Sequence, residues 1–257
     1  MSSRHFGGGG RPSYTSIGGG GMGGAVKALL ILNVAVFVLQ MFDRFAGGGM
    51  LVNSFGLRPF DITQRFFLWQ LVTYIFLHGS FMHILFNMFF LWMFGGELER
   101  TWGTREFYRF FFVCGIGAGV STVIVGPSSE IPTIGASGAI YGILLAYGLL
   151  FPRRLIYIWG IIPIQARYLV MILGGIAFLS SFDQSSSGVA HVAHLGGMVV
   201  GYIYLRGPRI RFRLGLRDRY DQWQRERLRR KFEVYYNRKQ AERERENKDP
   251  DHWRWKN

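Results

Sequence analysis

Apolar residues in this chain come in long blocks, without the period-two alternation of a half-buried strand. Six blocks cover about residues 25–42, 80–96, 107–125, 134–151, 164–180 and 189–205, the second closing on the Gly95-Gly96 pair. Each is roughly 15–19 residues long, the short end of what a helix rising 1.5 Å per residue needs to cross a ~30 Å hydrocarbon core. The pattern predicts an all-α, polytopic membrane protein with six transmembrane helices. Spans this short go with a thinned bilayer, or with helices buried by their neighbours before they cross fully.

The stretches outside the blocks divide the chain into three parts. Residues 1–24 carry Gly7–Gly10, Gly18–Gly21 and Gly23-Gly24, with little to bury, and read as a flexible tail. Residues 25–205 form the membrane domain. Residues 206–257 hold 18 basic and 9 acidic side chains, a basic tail in which Tyr220, Trp223, Leu228, Phe232 and Tyr235 recur at the spacing of an amphipathic helix. A solvated basic helix or a disordered segment fits that tail equally well.

Charge sets the topology. Loop 97–106 holds Arg100 and Arg105, and loop 152–163 holds Arg153 and Arg154, whereas loops 126–133 and 181–188 contain no Lys or Arg. By the positive-inside rule both termini face the cytoplasm and the uncharged loops face outward. Segment 43–79 is then a long external loop. Its Phe55, Phe60, Phe66, Phe67, Leu68 and Trp69 are too apolar for full solvation, which predicts short amphipathic helices lying partly in the membrane interface. The net charge of +14 is concentrated in the C-terminal tail directly after an apolar span, so anionic lipid headgroups are its expected contact and nucleic acid is not. The single cysteine, Cys114, reads as a small packed hydrophobe. No zinc-ligand spacing, phosphate loop or dinucleotide fingerprint occurs, so neither a metal nor another cofactor is expected.

Polar side chains are costly inside a span, so those present carry the information. His83 and Asn87 stand four apart, on one face of the second block. Gly135-Ala136-Ser137-Gly138 opens the fourth block, and His191 and His194 lie in the sixth. Singly, each has a plain structural explanation: an interhelical hydrogen bond, a close-packing serine, a histidine reaching the interface. Together they share a depth. With the termini inside, spans two, four and six begin at the outer face, and His83, Ser137 and His194 fall within about one to two turns of those ends. Gly138-x-x-x-Gly142 and Gly197-x-x-x-Gly201 provide small-residue faces on which spans four and six can approach closely. That approach would bring Ser137 Oγ within the ~2.6–3.2 Å of a His194 nitrogen that base catalysis needs.

These residues resemble the rhomboid family of intramembrane serine proteases. The resemblance rests on Trp69-Gln70, His78, His83-x-x-x-Asn87, Gly95-Gly96 followed by Glu99, Gly135-Ala136-Ser137-Gly138 with Tyr141, and Ala193-His194-Leu195-Gly196-Gly197, in the family's order over about residues 69–201. It implies a rhomboid-like bundle of the simple six-span bacterial form, in the bacterial inner (plasma) membrane. It further implies Ser137 as nucleophile and His194 as general base in a dyad with no acidic member. His83 and Asn87, with the Ser137 backbone N–H, resemble the oxyanion hole. Gly135 resembles the position that leaves room for substrate backbone, and Tyr141 the aromatic ring packed on the catalytic histidine. Glu99 and loop 43–79 resemble structural elements. The family pattern sets the base before Leu-Gly-Gly, which selects His194 over His191. The Trp-Arg pair that some members carry in the first external loop is missing.

The function these residues imply is cleavage of single-span membrane proteins near the outer face, with transmembrane proteins as substrates and membrane lipid as surroundings. A substrate helix must unwind there, because a helical backbone hides its carbonyls. Two other classes compete. An inactive, derlin-like relative that binds membrane clients would be expected to lack Ser137 or His194. A transporter or channel would carry polar residues through the full depth of the bundle, and here they gather at one end.

Overall fold

The computed structural model describes residues 23–158, 161–180 and 186–207, with positions 236, 239 and 240 of the tail. The expectations of a flexible segment before residue 23 and of an amphipathic helix after residue 207 lie outside the described residues. The chain separates into one unit, Met1–Leu205, and a second, Arg206–Asn257. The first is a helical bundle.

Helices occupy all six apolar blocks. They are α1 Gly24–Phe45; then, after the short α2 Met50–Phe55, α3 Pro59–Arg65 and α4 Gln70–Thr73, the helix pair α5 Phe81–Phe90 and α6 Gly96–Trp102; then α7 Thr104–Val125 and α8 Ser137–Leu150. A two-stranded hairpin, β1 Leu155–Ile158 with β2 Ile162–Gln165, precedes α9 Ala166–Ser180 and α10 Ser186–Arg206. Among the described residues, Gly24–Phe45, Phe81–Trp102 and Thr104–Val125 are long and apolar enough to cross a membrane, and Ser137–Leu150 and Ala166–Leu179 are shorter apolar helices.

Two expected boundaries differ. The second block does not end at Gly95-Gly96. A π-helical turn, Leu91–Gly95, joins α5 to α6, and the helix runs on to Trp102. Gly95 acts there as a packing position: a methyl group on it would meet the Phe107 ring at 3.0 Å and Val26 at 3.2 Å. The polypeptide turns only at Gly103, whose φ of +86° suits glycine. The loop expected over 152–163 is mostly hairpin, with Leu155 paired to Gln165 and Ile158 to Ile162.

Phe94, Phe107, Phe110, Phe111, Cys114 and Ile143 are fully buried at the centre of the bundle. Ile31, Leu39, Phe42, Met171 and Leu179 face outward and are exposed, the arrangement expected of lipid-facing surface. Glu99, buried on α6, accepts hydrogen bonds from the Ala25 and Val26 N–H groups (2.8 and 2.9 Å) and from Thr104 Oγ1 (2.7 Å). A carboxylate at the start of α1 satisfies two of the four N–H groups that any helix N-terminus leaves unpaired. At the same level Glu97 accepts from Tyr147 of α8 and pairs with Arg154 at 2.5 Å.

Segment 43–79 folds as short helices, and it is closed by polar contacts of its own. Gln70, fully buried, accepts from the Arg58 N–H (3.0 Å) and donates to buried Asp61 (3.3 Å). Leu57 and Thr133 exchange backbone hydrogen bonds of 3.0 and 2.8 Å, which ties the segment to the chain entering α8.

Candidate active site

Ser137 is the first residue of α8, where backbone N–H groups have no carbonyl from a preceding turn. The chain reaches it through Gly135, whose φ is +121° and whose N–H donates to Tyr74 O at 2.9 Å. A side chain at Gly135 would be strained by that backbone and would meet the His83 imidazole at 2.8 Å. Gly135 therefore places His83 immediately beside the backbone that leads into Ser137.

His194, on α10, holds its Nε2 2.8 Å from Ser137 Oγ. The two residues are 57 positions apart, and glycines make the approach possible. A methyl group on Gly197 would overlap the carbonyl of Gly138, and one on Gly201 would meet Gly142 Cα at 3.3 Å. The two glycine-bearing faces thus meet, as their spacing predicts. Tyr141 lies one turn after Ser137 with its ring parallel to His194, centroids 4.2 Å apart at 7°. The stack limits rotation of the imidazole and sets an aromatic face against any charge it acquires.

His83 and Asn87 share one face of α5. The Gly79 N–H donates to His83 Nδ1 at 3.3 Å, which puts the ring proton on Nε2, the nitrogen beside Gly135. Asn87 is buried, and its Nδ2 is a donor with no acceptor among the described residues. Two N–H donors therefore converge on the space next to Ser137. A cavity of about 260 Å³ opens there, lined by Met82, His83, Asn87, Ser137, Tyr141 and Leu173 among others. The His191 ring packs edge to face against His194, centroids 5.7 Å apart, and the hydrogen bond to Ser137 Oγ is made by His194.

Other residues hold this arrangement, and Gln40, Arg44 and Tyr74 among them did not stand out in the sequence. Gln40 of α1 donates to His78 O (3.3 Å) and accepts the His78 N–H (2.8 Å), and Arg44 donates to His78 O and Gly79 O, each at 3.1 Å. Together they fix the backbone that presents the Gly79 N–H to His83. A polar Gln40 inside an apolar block was the available signal, by the same rule that marks His83 and Asn87. Tyr74, fully buried, donates from its hydroxyl to Gly115 O (2.6 Å) while its carbonyl receives Gly135, and its aromatic character alone gives no hint of that double role. His78 is fully buried, with Nδ1 against Phe76 O (3.3 Å) and its ring 5.1 Å from His83. Burial first, and then the neighbouring His83, lower its pKa from 6.5 to about 4.

No cluster of three or more His, Cys, Asp or Glu side chains suited to a metal occurs among the described residues. The side chains brought together are a serine hydroxyl against an imidazole nitrogen, with two N–H donors beside them.

Comparison with known proteins gives the same frame. A family model described as the rhomboid domain matches residues 65–207. The chain is 25% identical over 177 residues to "Rhomboid protease GlpG" of Yersinia pestis (strain Pestoides F), covering 68% of this chain and 59% of that protein. It is 31% identical over 200 residues to "Rhomboid protein 1, mitochondrial" of Saccharomyces cerevisiae, covering 70% of this chain and 51% of that protein. The chain thus spans between half and three-fifths of the length of these relatives.

Proposed function

This chain belongs to the rhomboid family and is an integral membrane protein, and we propose on that footing that it is an intramembrane serine endopeptidase. The observation that supports the reading best is the 2.8 Å approach of His194 Nε2 to Ser137 Oγ across two packed helices. Ser137 is the nucleophile. His194 takes its proton as Oγ attacks the scissile carbonyl, and returns it to the leaving amine. Water then resolves the acyl-enzyme with His194 again as base.

His83 Nε2–H, Asn87 Nδ2–H and the Ser137 N–H stabilise the oxyanion of the tetrahedral intermediate. The orphaned Asn87 donor fits that role, since a buried N–H without an acceptor is costly unless a ligand supplies one. Gly135 leaves the substrate backbone room beside Ser137, and Tyr141 holds the His194 ring. Substrates are single-span membrane proteins cut near the outer face, at segments that small or helix-breaking residues allow to unwind. The protein sits as a six-span bundle in a bacterial inner membrane, with both termini cytoplasmic and the basic tail against anionic lipid.

Labelling with a serine-directed fluorophosphonate in detergent tests the reading, alongside cleavage of a model single-span substrate. Label is expected on Ser137 in the native protein and on nothing in Ser137→Ala, and cleavage is expected to vanish in Ser137→Ala and His194→Ala. Unchanged cleavage by either variant overturns it.

A further inference from the structure

The dyad leaves one hydrogen-bonding requirement open. For His194 Nε2 to accept the Ser137 proton, the ring's own proton must sit on Nδ1. That Nδ1 is buried and has no acceptor among the described residues. In a Ser-His-Asp triad a carboxylate holds this N–H, selecting the tautomer and orienting the ring. Helices α8 and α10 contain no Asp or Glu.

His191 stands one turn before His194 on the same face of α10. Its ring lies edge to face against His194, at a centroid separation of 5.7 Å and an interplanar angle of 79°. Its own Nδ1 is likewise buried and without a partner among the described residues. Two adjacent rings thus carry complementary orphans. One nitrogen is required by the chemistry to be a donor, and the other is free to accept if His191 carries its proton on Nε2. The rings make no direct hydrogen bond, so an acceptor contact between them has to run through water. Tyr141 already stacks on the His194 ring, so packing restrains that ring's plane; an acceptor at Nδ1 would restrain which way round the ring lies and which nitrogen is protonated.

We propose that His191 is a positioning residue for the dyad: its imidazole accepts, through one water, the Nδ1–H of His194, in the place a carboxylate holds in a triad. The role rests on the dyad reading above. No proton is transferred to His191. The Ser137 proton moves to His194 Nε2, the resulting imidazolium keeps its Nδ1–H on the water, and the positive charge stays on His194.

The test is cleavage kinetics of a single-span substrate in proteoliposomes, with three substitutions at one position. His191→Phe keeps an aromatic ring and removes the acceptor, and His191→Leu stands in for it should the phenylalanine protein fail to fold. Either is expected to lower kcat by about tenfold with KM unchanged. His191→Gln restores an acceptor and is expected to recover at least about a third of the native kcat. Native kcat in the acceptor-less variants overturns the proposal, and so does a His191→Gln protein as slow as they are, because ring packing alone would then be the role. Ser137→Ala runs beside them. If it still cleaves, the dyad falls and this role with it; if it is dead while His191→Phe is unimpaired, the role of His191 alone is overturned.

Discussion

Gly197 of α10 packs so closely on Gly138 of α8 that a methyl group on it would overlap the Gly138 carbonyl oxygen. The contact lies one residue beyond Ser137 and three beyond His194, so it sets the distance between those two side chains. Gly197→Ala must push the helices apart. The expected cost is about 1–3 kcal/mol of stability, with a fall in kcat larger than that loss of folded protein explains. Gly175→Ala on α9, where an added methyl group meets nothing within 4 Å, is the matched control and should be neutral or slightly stabilising. Thermal unfolding in detergent and cleavage rates check the pair.

His83→Ala and Asn87→Ala each remove one donor from the space beside Ser137. Each is expected to lower kcat by about 10²–10³-fold with little change in KM, because in the proposed role the lost hydrogen bond strengthens only as the oxyanion forms. Equal loss through KM would mean that these residues bind the ground state instead.

Glu99 has a different signature. Glu99→Ala leaves the N–H groups of Ala25 and Val26 without their acceptor, in a setting where Glu99 is only 3% exposed. A loss of about 1–3 kcal/mol per unsatisfied group is expected, whereas kcat per folded molecule should hold. Unfolding midpoints, with rates normalised to the fraction folded, separate the two effects.

His78 makes stability depend on pH in a defined window. Its pKa is about 4 in the folded protein against 6.5 for a free histidine. Above 6.5 both states are neutral and His78 contributes no slope. Between 6.5 and 4 the unfolded chain binds the proton and the folded chain does not, so stability falls as pH drops, levelling off below about 4. The groups around it are the His83 ring and, on α1, Gln40 and Arg44, which bind its backbone. His78→Asn should flatten the native protein's slope in that window when midpoints are measured from pH 4 to 7.

Much of this candidate site is legible in the sequence. Lipid makes polar side chains expensive, so His83, Asn87, Ser137 and His194 stand out from their blocks, and the rise of a helix puts them at one depth. Gln40, a polar side chain in an apolar block by the same rule, was passed over, and its use lies in two hydrogen bonds to His78, 38 residues away. The Gly95-Gly96 pair misled for a related reason. Glycine reads as a break in one helix, but here Gly95 accommodates Phe107 and Val26 from two others, and the helix continues. The hairpin at 155–165 went unseen because Leu155–Ile158 is apolar on both faces and its partner strand Ile162–Gln165 is only four residues long with a proline inside it.

The order of residues alone determined the helical blocks, the polar positions within them and the face each occupies, because those follow from a 3.6-residue period and the cost of burying polar groups in an apolar medium. It could not determine how one helix is rotated against another. That depends on which surfaces interlock, and here the contact of Gly138 and Gly142 with Gly197 and Gly201 decides it. The 2.8 Å between Ser137 and His194 and the parallel Tyr141 ring follow from that contact, and belong to the tertiary structure.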